Sequence, residues 1–220
     1  MNSPQYMDPV ALLLLSMALA IVPFAAMIVT SYTKIVIVLG LLRNALGVQQ
    51  VPPNMVLNGV AIIISCYIMA PVMMEATDSM TRTKKTANSS GTEQVLEAAA
   101  SAREPFRTFL KKHASEREIQ FFLRSAVTVW PPEYAKRIDK DDLIVLAPAF
   151  LLSELTAAFR IGFLLYLAFV VIDIVIANVL LAMGLSQVSP SNIAIPFKLL
   201  LFVTLDGWSR LVHGLVLTYK

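Results

Sequence analysis

Long apolar runs lie toward both ends of this chain, and a polar block separates them. Positions 10–42, 55–74, 143–188 and 195–219 are almost wholly apolar. Because one bilayer crossing takes about 20 helical residues, runs of this length predict membrane-spanning helices. Backbone polar groups inside lipid must be satisfied within the segment, which favours an all-α fold. We predict four spans, arranged as two helical hairpins that flank a helical insert.

Turn signals divide the first apolar region into the hairpin 1–74. Gly47 tolerates the left-handed backbone that often ends a helix. The pair Pro52 and Pro53 prevents the first helix from continuing. Asn54 can cap the second helix, which we expect to end near residue 74.

The start of the chain has some features of a secretion signal. The stretch 10–17 is apolar, and residues 18–20 resemble a cleavage site. However, no Lys or Arg precedes Lys34, and the apolar run continues well beyond residue 20. We therefore interpret this stretch as a retained span.

The polar block covers residues 75–142 and carries 12 of the 18 Lys and Arg residues and 11 of the 15 Asp and Glu residues. Its composition predicts an exposed loop over 77–92. Apolar residues at three- and four-residue spacing then predict an amphipathic helix over 93–126, in one or two pieces. If there are two, Pro105 suits the first turn of the second piece. Trp130 and the two prolines after it end this helical region.

The second hairpin covers residues 143–220. Asp141 or Asp142 can cap its first helix. The apolar run is too long for one crossing, so we expect a break or bend near Pro148 and a main span over 161–183. After a short polar turn at 184–190, we expect one last helix over 195–219.

The placement of Lys and Arg predicts the sidedness of the chain. Lys34 and Arg43 flank the first hairpin turn, and Lys198 follows the second. Since short cytoplasmic loops are enriched in these residues, both turns are expected in the cytoplasm. The termini and the polar block would then lie outside the cytoplasm.

Composition excludes several classes of function. The chain is 57% hydrophobic and 15% charged, whereas soluble domains are about 25% charged. The net charge is only +3, and the polar block is nearly balanced, so no nucleic-acid-binding face is predicted. The lone Cys66 and the two histidines, His113 and His213, show no metal-ligand spacing. We predict no cofactor and no metal.

The sequence also contains no catalytic motif that we recognise. It has neither a Gly-rich phosphate loop nor the Gly-x-Ser-x-Gly elbow of hydrolases. Asp206, Ser209 and His213 recur at three- and four-residue intervals, which is typical of a polar helix face. We therefore predict that the protein is not an enzyme, an intramembrane hydrolase included.

Several charged residues lie inside the apolar segments. Each costs about 2.5–3.5 kcal/mol at the centre of a span, so each needs a partner or water. Asp206 and Arg210, four residues apart, can pair on one helix face. Glu154, Arg160 and Asp173 point in different directions and are expected to meet other helices or other subunits, either as structural ion pairs or along a polar pathway. The full set is Lys34, Glu154, Arg160, Asp173, Lys198, Asp206 and Arg210.

Two long motifs resemble the signatures of the FliP/SctR family. The first reads PAFLLSEL at 148–155 with AFRIG at 158–162, and the second reads PFKLLLF at 196–202 with DGW at 206–208. The turn RNALGVQQVPPN at 43–54 is also similar to this family. The resemblance covers nearly the whole chain. Its signature residues are Pro148, Phe150, Glu154, Phe159, Gly162, Pro196, Lys198, Gly207 and Trp208.

The resemblance implies a subunit of the export gate of bacterial type III secretion systems, a pore in the inner membrane that passes unfolded proteins. It implies further copies of the chain in a pentamer-like core, two other membrane subunits, and the larger export apparatus. The family's gate is a helical complex lifted partly out of the bilayer. Because flagellar members tend to carry an added cleavable signal, we favour the virulence-associated injectisome branch.

One turn departs from the family pattern. Many relatives have a run of methionines before the last helix, which is thought to form a gasket around the pore. This chain has only one methionine there. Our hypothesis is that the turn still lines the pore constriction, through Met183, Gly184, Leu185, Ser186 and Gln187.

A different class of function also fits the intramembrane charges. A small secondary transporter could use Glu154, Arg160 and Asp173 to carry a substrate or protons. Four spans without visible inverted repeats make this alternative weaker.

Overall fold

The computed structural model describes residues 13, 16, 17, 20, 23, 24, 26–86, 91–185 and 187–220, with the backbone alone at 83–86, 91–99 and 102. Within these ranges all regular structure is helical, which confirms the all-α class. Two of the described helices are long and apolar enough to cross a membrane. If the bent pair of helices near the C-terminus counts as one span, the described residues contain three candidate spans. The retained span expected at the start of the chain falls largely outside the described residues.

The described helices follow one another with short connections, and residues 26–29 are also helical. In chain order they are α1 (Tyr32–Leu46), α2 (Asn54–Thr86), α3 (Gly91–His113), α4 (Glu116–Val129), α5 (Pro132–Ala135), α6 (Leu143–Ala182), α7 (Pro190–Thr204) and α8 (Gly207–Leu217).

The first turn forms where the sequence predicts it. Gly47 follows α1 with a φ of 78°, and its N–H donates to the Asn44 carbonyl at 3.1 Å. After the two prolines, α2 begins at Asn54. However, α2 continues to Thr86, so the predicted loop over 77–92 is wrong wherever the structure describes it. Helix α2 packs along α3, and such packing stabilises helical turns whose composition alone favours a loop.

The polar block contains two amphipathic helices, α3 and α4. Of the two alternatives that the sequence left open, one helix or two pieces, the structure has two pieces. The break between them lies at residues 114–115. Pro105 therefore lies inside α3, and its predicted place in the first turn of a second helix is wrong. Trp130 ends α4, as expected from the prolines that follow it.

Helix α6 is continuous over 40 residues, and Asp142 precedes it as the N-cap residue. The helix is unbroken at Pro148, so a break there, one of the two predicted alternatives, is wrong. Proline there leaves the Ile144 carbonyl without its helical donor, but Ile144 is exposed, and so water or lipid headgroups can satisfy that carbonyl. At 1.5 Å per residue, α6 is about 60 Å long, twice the thickness of the apolar core of a bilayer.

The last apolar segment is bent instead of forming one helix over 195–219. Helices α7 and α8 meet at an angle of 63°. Asp206 at the bend has a φ of 51°, which ends α7. A Cβ atom on Gly207 would lie 2.2 Å from the Phe202 ring, so only glycine permits this close bend.

Helix α1 lies at the centre of the fold and packs against α2, α6 and α7. Its buried residues contact Ala158 of α6 and Phe202 of α7 through two apolar clusters. A third cluster joins the polar block to α2 and to the first turns of α6. It consists of Met69, Phe109, Leu110, Ile119, Val145, Leu146, Ala149 and Phe150.

The polar block therefore covers the start of α6 and leaves its later turns open. Exposed large side chains recur there from Phe159 to Leu181. About 24 residues, or roughly 36 Å of helix, remain for lipid or for other subunits. The polar block covers the part of α6 that exceeds one bilayer crossing, and this excess length had suggested a break in the helix.

Candidate functional site

A buried ion pair joins α1 to α6. The Lys34 ammonium lies 3.0 Å from Oε1 of Glu154, and the two side chains are 5% and 3% exposed. The Tyr219 hydroxyl donates a hydrogen bond to the other carboxylate oxygen. The Lys34 Nζ atom also lies 3.8 Å from the centre of the Tyr219 ring, within cation–π range. The charged pair is thus enclosed by three separate parts of the chain.

The Tyr219 ring extends this cluster into the polar block. It stacks on Phe109 at a centroid distance of 6.1 Å and meets the His113 ring edge-on at 5.1 Å. Burial, together with the nearby positive charges of Lys112 and Lys34, lowers the pKa of His113 from 6.5 to about 4. The imidazole is therefore neutral at pH 7.

A second ion pair joins α7 to α6. Nζ of Lys198 lies 2.6 Å from Oδ2 of Asp173 and 3.2 Å from the Ala45 carbonyl oxygen. Ala45 belongs to the last turn of α1, whose carbonyls have no helical donors and carry the negative end of the helix dipole. Lys198 thereby caps α1 while it neutralises Asp173, so one cation holds three helices.

Two signature glycines mark close contacts between elements. A Cβ atom on Gly162 of α6 would lie 2.2 Å from a methyl carbon of Leu41 on α1. Gly207 permits the approach of Phe202, whose ring meets Trp208 edge-on at 5.4 Å. These glycines allow the helices to approach this closely, because any side chain at either position would push the two helices apart.

The other signature residues have varied surroundings. Phe150 is fully buried beneath the polar block. Pro148 and Pro196 lie inside α6 and α7. Phe159 is 58% exposed on α6, where it is available to lipid or to another subunit.

Three of the seven charges are not brought to a partner within the described part of the chain. Arg160, Asp206 and Arg210 are exposed, and none of the ion pairs among described residues includes them. Asp206 precedes α8 with a left-handed backbone, so the four-residue spacing to Arg210 does not place both side chains on one helix face.

The turn between α6 and α7 is exposed in the single chain. Gly184 has a φ of 74°, which reverses the backbone after Met183. Met183 is 63% exposed and Leu185 is 41% exposed. Gln187 is exposed too, while Ser186 lies outside the described residues.

Some residues of the buried clusters were missed by the sequence analysis. Ser31 donates to Ser65 of α2 at 3.0 Å in a buried contact, and Tyr219 completes the Glu154 site. Serines inside apolar runs are a weak signal of such pairing. The Ala45 carbonyl has no sequence signal at all, because it belongs to the backbone. The searched part of the chain contains no group of three potential metal ligands.

Residues 14–215 match the FliP family. The chain belongs to the FliP family. The matched residues include both ion pairs between helices and the bend at Asp206.

Curated FliP-family relatives are similar over almost their full length. "Hypersensitivity response secretion protein HrcR" of Ralstonia nicotianae is 64% identical over 98% of this chain and all of its own. "Yop proteins translocation protein R" of Yersinia pestis is 48% identical over 98% of both chains. "Virulence protein YscR" of Salmonella typhimurium is 39% identical over 97% of this chain and 98% of its own.

Proposed function

We propose that this protein is a membrane subunit of a type III secretion export apparatus, of the injectisome branch, and forms part of the wall of its export gate. The observation that carries the proposal is the full-length similarity to relatives named for secretion, translocation and virulence. The protein would act by forming a passage for unfolded proteins. It would perform no catalysis itself.

The buried charges support a structural role over a transport role. Glu154 is occupied by Lys34 and Tyr219, and Asp173 is occupied by Lys198. A carboxylate that carries a substrate or protons needs access to water or to the substrate, and the Glu154 side chain is 3% exposed. The enclosure of Glu154 therefore disfavours a transporter that works through this carboxylate, and Asp173, which is 43% exposed, is neutralised by Lys198.

We infer the following arrangement in the inner membrane. Segments 1–74 and 143–220 act as two hairpins, and 75–142 forms the block on the periplasmic side. The contact of Tyr219 with Phe109 and His113 supports this, because it puts the C-terminus beside the polar block. The exposed turn after α6 would then face the cytoplasm.

We further propose that this protein assembles with copies of itself in a pentamer-like core and with two other membrane subunits. The exposed apolar surface of α6 and the unpaired Arg160 and Asp206 are suited to such contacts. In the assembled gate the turn from Met183 to Gln187 would line the constriction. Methionine and leucine there supply a short apolar seal.

A secretion assay tests the proposed function. The gene is deleted in the bacterium that encodes this chain and restored in trans as wild type or as Gly162→Leu, which forces α1 away from α6. Wild type should restore release of type III substrates, whereas Gly162→Leu should not. Gly59→Leu is the matched control, since a Cβ at Gly59 meets nothing within 4 Å. Normal secretion by the deletion strain would overturn the proposal.

Complex size provides a second test. Extracted in mild detergent, the chain should migrate in a large hetero-oligomer that fails to form when the other membrane subunits are deleted. A stable monomer or dimer with solute-uptake activity would instead support the transporter.

A further inference from the structure

An apolar groove runs between α6 and the bent pair α7–α8. Its volume is about 500 Å³. On α6 it is lined at 161, 165, 168, 169 and 172, which follow one stripe of the helix. Gly214 lies in the opposite wall, and a Cβ atom there would meet nothing within 4 Å. The groove is therefore open space that the described part of the chain leaves unfilled.

One charged residue lies among the lining side chains. Arg210 of α8 extends from the apolar wall and has no ion-pair partner among the described residues. A cation inside a span costs about 2.5–3.5 kcal/mol unless an anion or water offsets it. The groove thus combines a long apolar surface with one fixed positive charge that needs an anion.

We propose that this groove binds an anionic phospholipid, with an acyl chain between α6 and α8 and the phosphate on the Arg210 guanidinium. An anionic lipid matches both features of the groove, because its acyl chain is apolar like the wall and its phosphate offsets the charge of Arg210. Arginine recognises phosphate through two parallel N–H donors. This inference does not depend on the proposed role in secretion.

Native mass spectrometry of the full chain in detergent tests the site. The purified protein is titrated with dioleoyl phosphatidylglycerol or with dioleoyl phosphatidylcholine, which differ only in the headgroup. Wild type should retain phosphatidylglycerol, the anionic lipid, more strongly than phosphatidylcholine. Arg210→Gln should weaken that retention about tenfold, because one charge-assisted contact is lost. Arg210→Lys should recover part of it.

Matched variants separate this groove from the rest of the surface. Arg160→Gln removes another exposed arginine, on α6, that does not line the groove, so retention should not change. Gly214→Leu fills the open space and should reduce retention of both lipids. Gly59→Leu places the same side chain in open space on α2 and should have no effect. Circular dichroism confirms that each variant is folded.

Three results would overturn the proposal. The first is equal retention of the two lipids by wild type. The second is an equal loss of retention in Arg160→Gln and Arg210→Gln, which would indicate general attraction of anions. The third is a Gly214→Leu variant that keeps its lipid but no longer associates with other copies, which would assign the groove to a second copy of the chain.

Discussion

Lys34 of α1 and Glu154 of α6, 120 residues apart in the chain, form a 3.0 Å ion pair that is almost fully buried. Removing one partner of such a pair costs about 3–5 kcal/mol, because the other charge stays buried. Lys34→Met should therefore lower the melting temperature of the detergent-solubilised protein sharply.

The double variant Lys34→Met with Glu154→Gln gives the control for this pair. Glutamine keeps an acceptor for the Tyr219 hydroxyl but carries no charge, so the double variant should be more stable than Lys34→Met alone. If the double variant is no more stable than Lys34→Met alone, or if its loss equals the sum of the losses of the two single variants, the two side chains do not stabilise each other.

At the second ion pair, we expect the loss of the charge of residue 173 to cost less stability than the loss of both its charge and its polar oxygen. Asp173→Asn keeps an oxygen near Lys198 and should cost about 1 kcal/mol. Asp173→Leu leaves the 6%-exposed Lys198 without its anion. Because Asp173 itself is 43% exposed and water reaches the pair, the cost should be about 1–3 kcal/mol. Denaturation in mixed micelles measures both. Asp141→Asn weakens the exposed pair with Lys111 and should destabilise the protein least of the three variants, because water screens this pair. A ranking with Asp141→Asn as the worst variant would contradict this account.

The contact of Gly162 with Leu41 predicts a steric effect. Gly162→Ala should destabilise the protein by about 1–3 kcal/mol, because the new methyl group would lie 2.2 Å from Leu41. Leu41→Ala should relieve part of the loss in the double variant. The control, Gly59→Ala, should be neutral or slightly stabilising, since alanine favours a helix over glycine. Identical behaviour of the two alanine variants would exclude close packing as the role of Gly162.

The lowered pKa of His113 predicts a stability that depends on pH. Between pH 6.5 and about 4 the unfolded chain binds a proton at this imidazole and the folded chain does not. Stability from this residue is therefore present above pH 6.5 and is lost as the pH falls toward 4. His113→Phe keeps a ring beside Tyr219 but does not titrate, so its melting temperature should fall less over this range. The exposed His213→Phe is the control and should follow wild type.

The apolar residues of the turn after α6 predict the permeability of the assembled gate. Leu185→Gly or Met183→Gly should increase ion leakage through the closed complex, measured as conductance in cells that express all gate subunits. Both side chains are exposed in the single chain, so folding should be preserved. Conductance equal to wild type in both variants would place the constriction elsewhere.

Local signals in the sequence anticipated much of the helix pattern, and long-range packing explains where it failed. Gly47 and Asn54 bound the first turn as predicted, because backbone geometry and lost N–H donors are local properties. Helix α2 extends to Thr86 because α3 packs against it, and no local pattern records that contact. The break at Asp206 did have a signal, since Asp-Gly is a frequent turn dipeptide that we read as helix.

For the charged residues too, local sequence predicts some properties and long-range packing determines the others. Their cost in an apolar segment can be read from the sequence, and it implies partners for Lys34 and Asp173. The identity of those partners depends on how α1, α6 and α7 pack, and Tyr219 enters only because the C-terminus folds back beside the polar block. Spacing alone suggested Asp206 with Arg210, and the left-handed backbone at Asp206 prevents that helical geometry.

The unbroken length of α6 has a mechanical consequence for gating. An uninterrupted helix of 40 residues behaves as a stiff rod that connects the polar block to the turn at Met183. A tilt of only about 10° at one end of a rod about 60 Å long moves the other end by about 10 Å. A force on the polar block would therefore be transmitted along α6 to the turn at Met183.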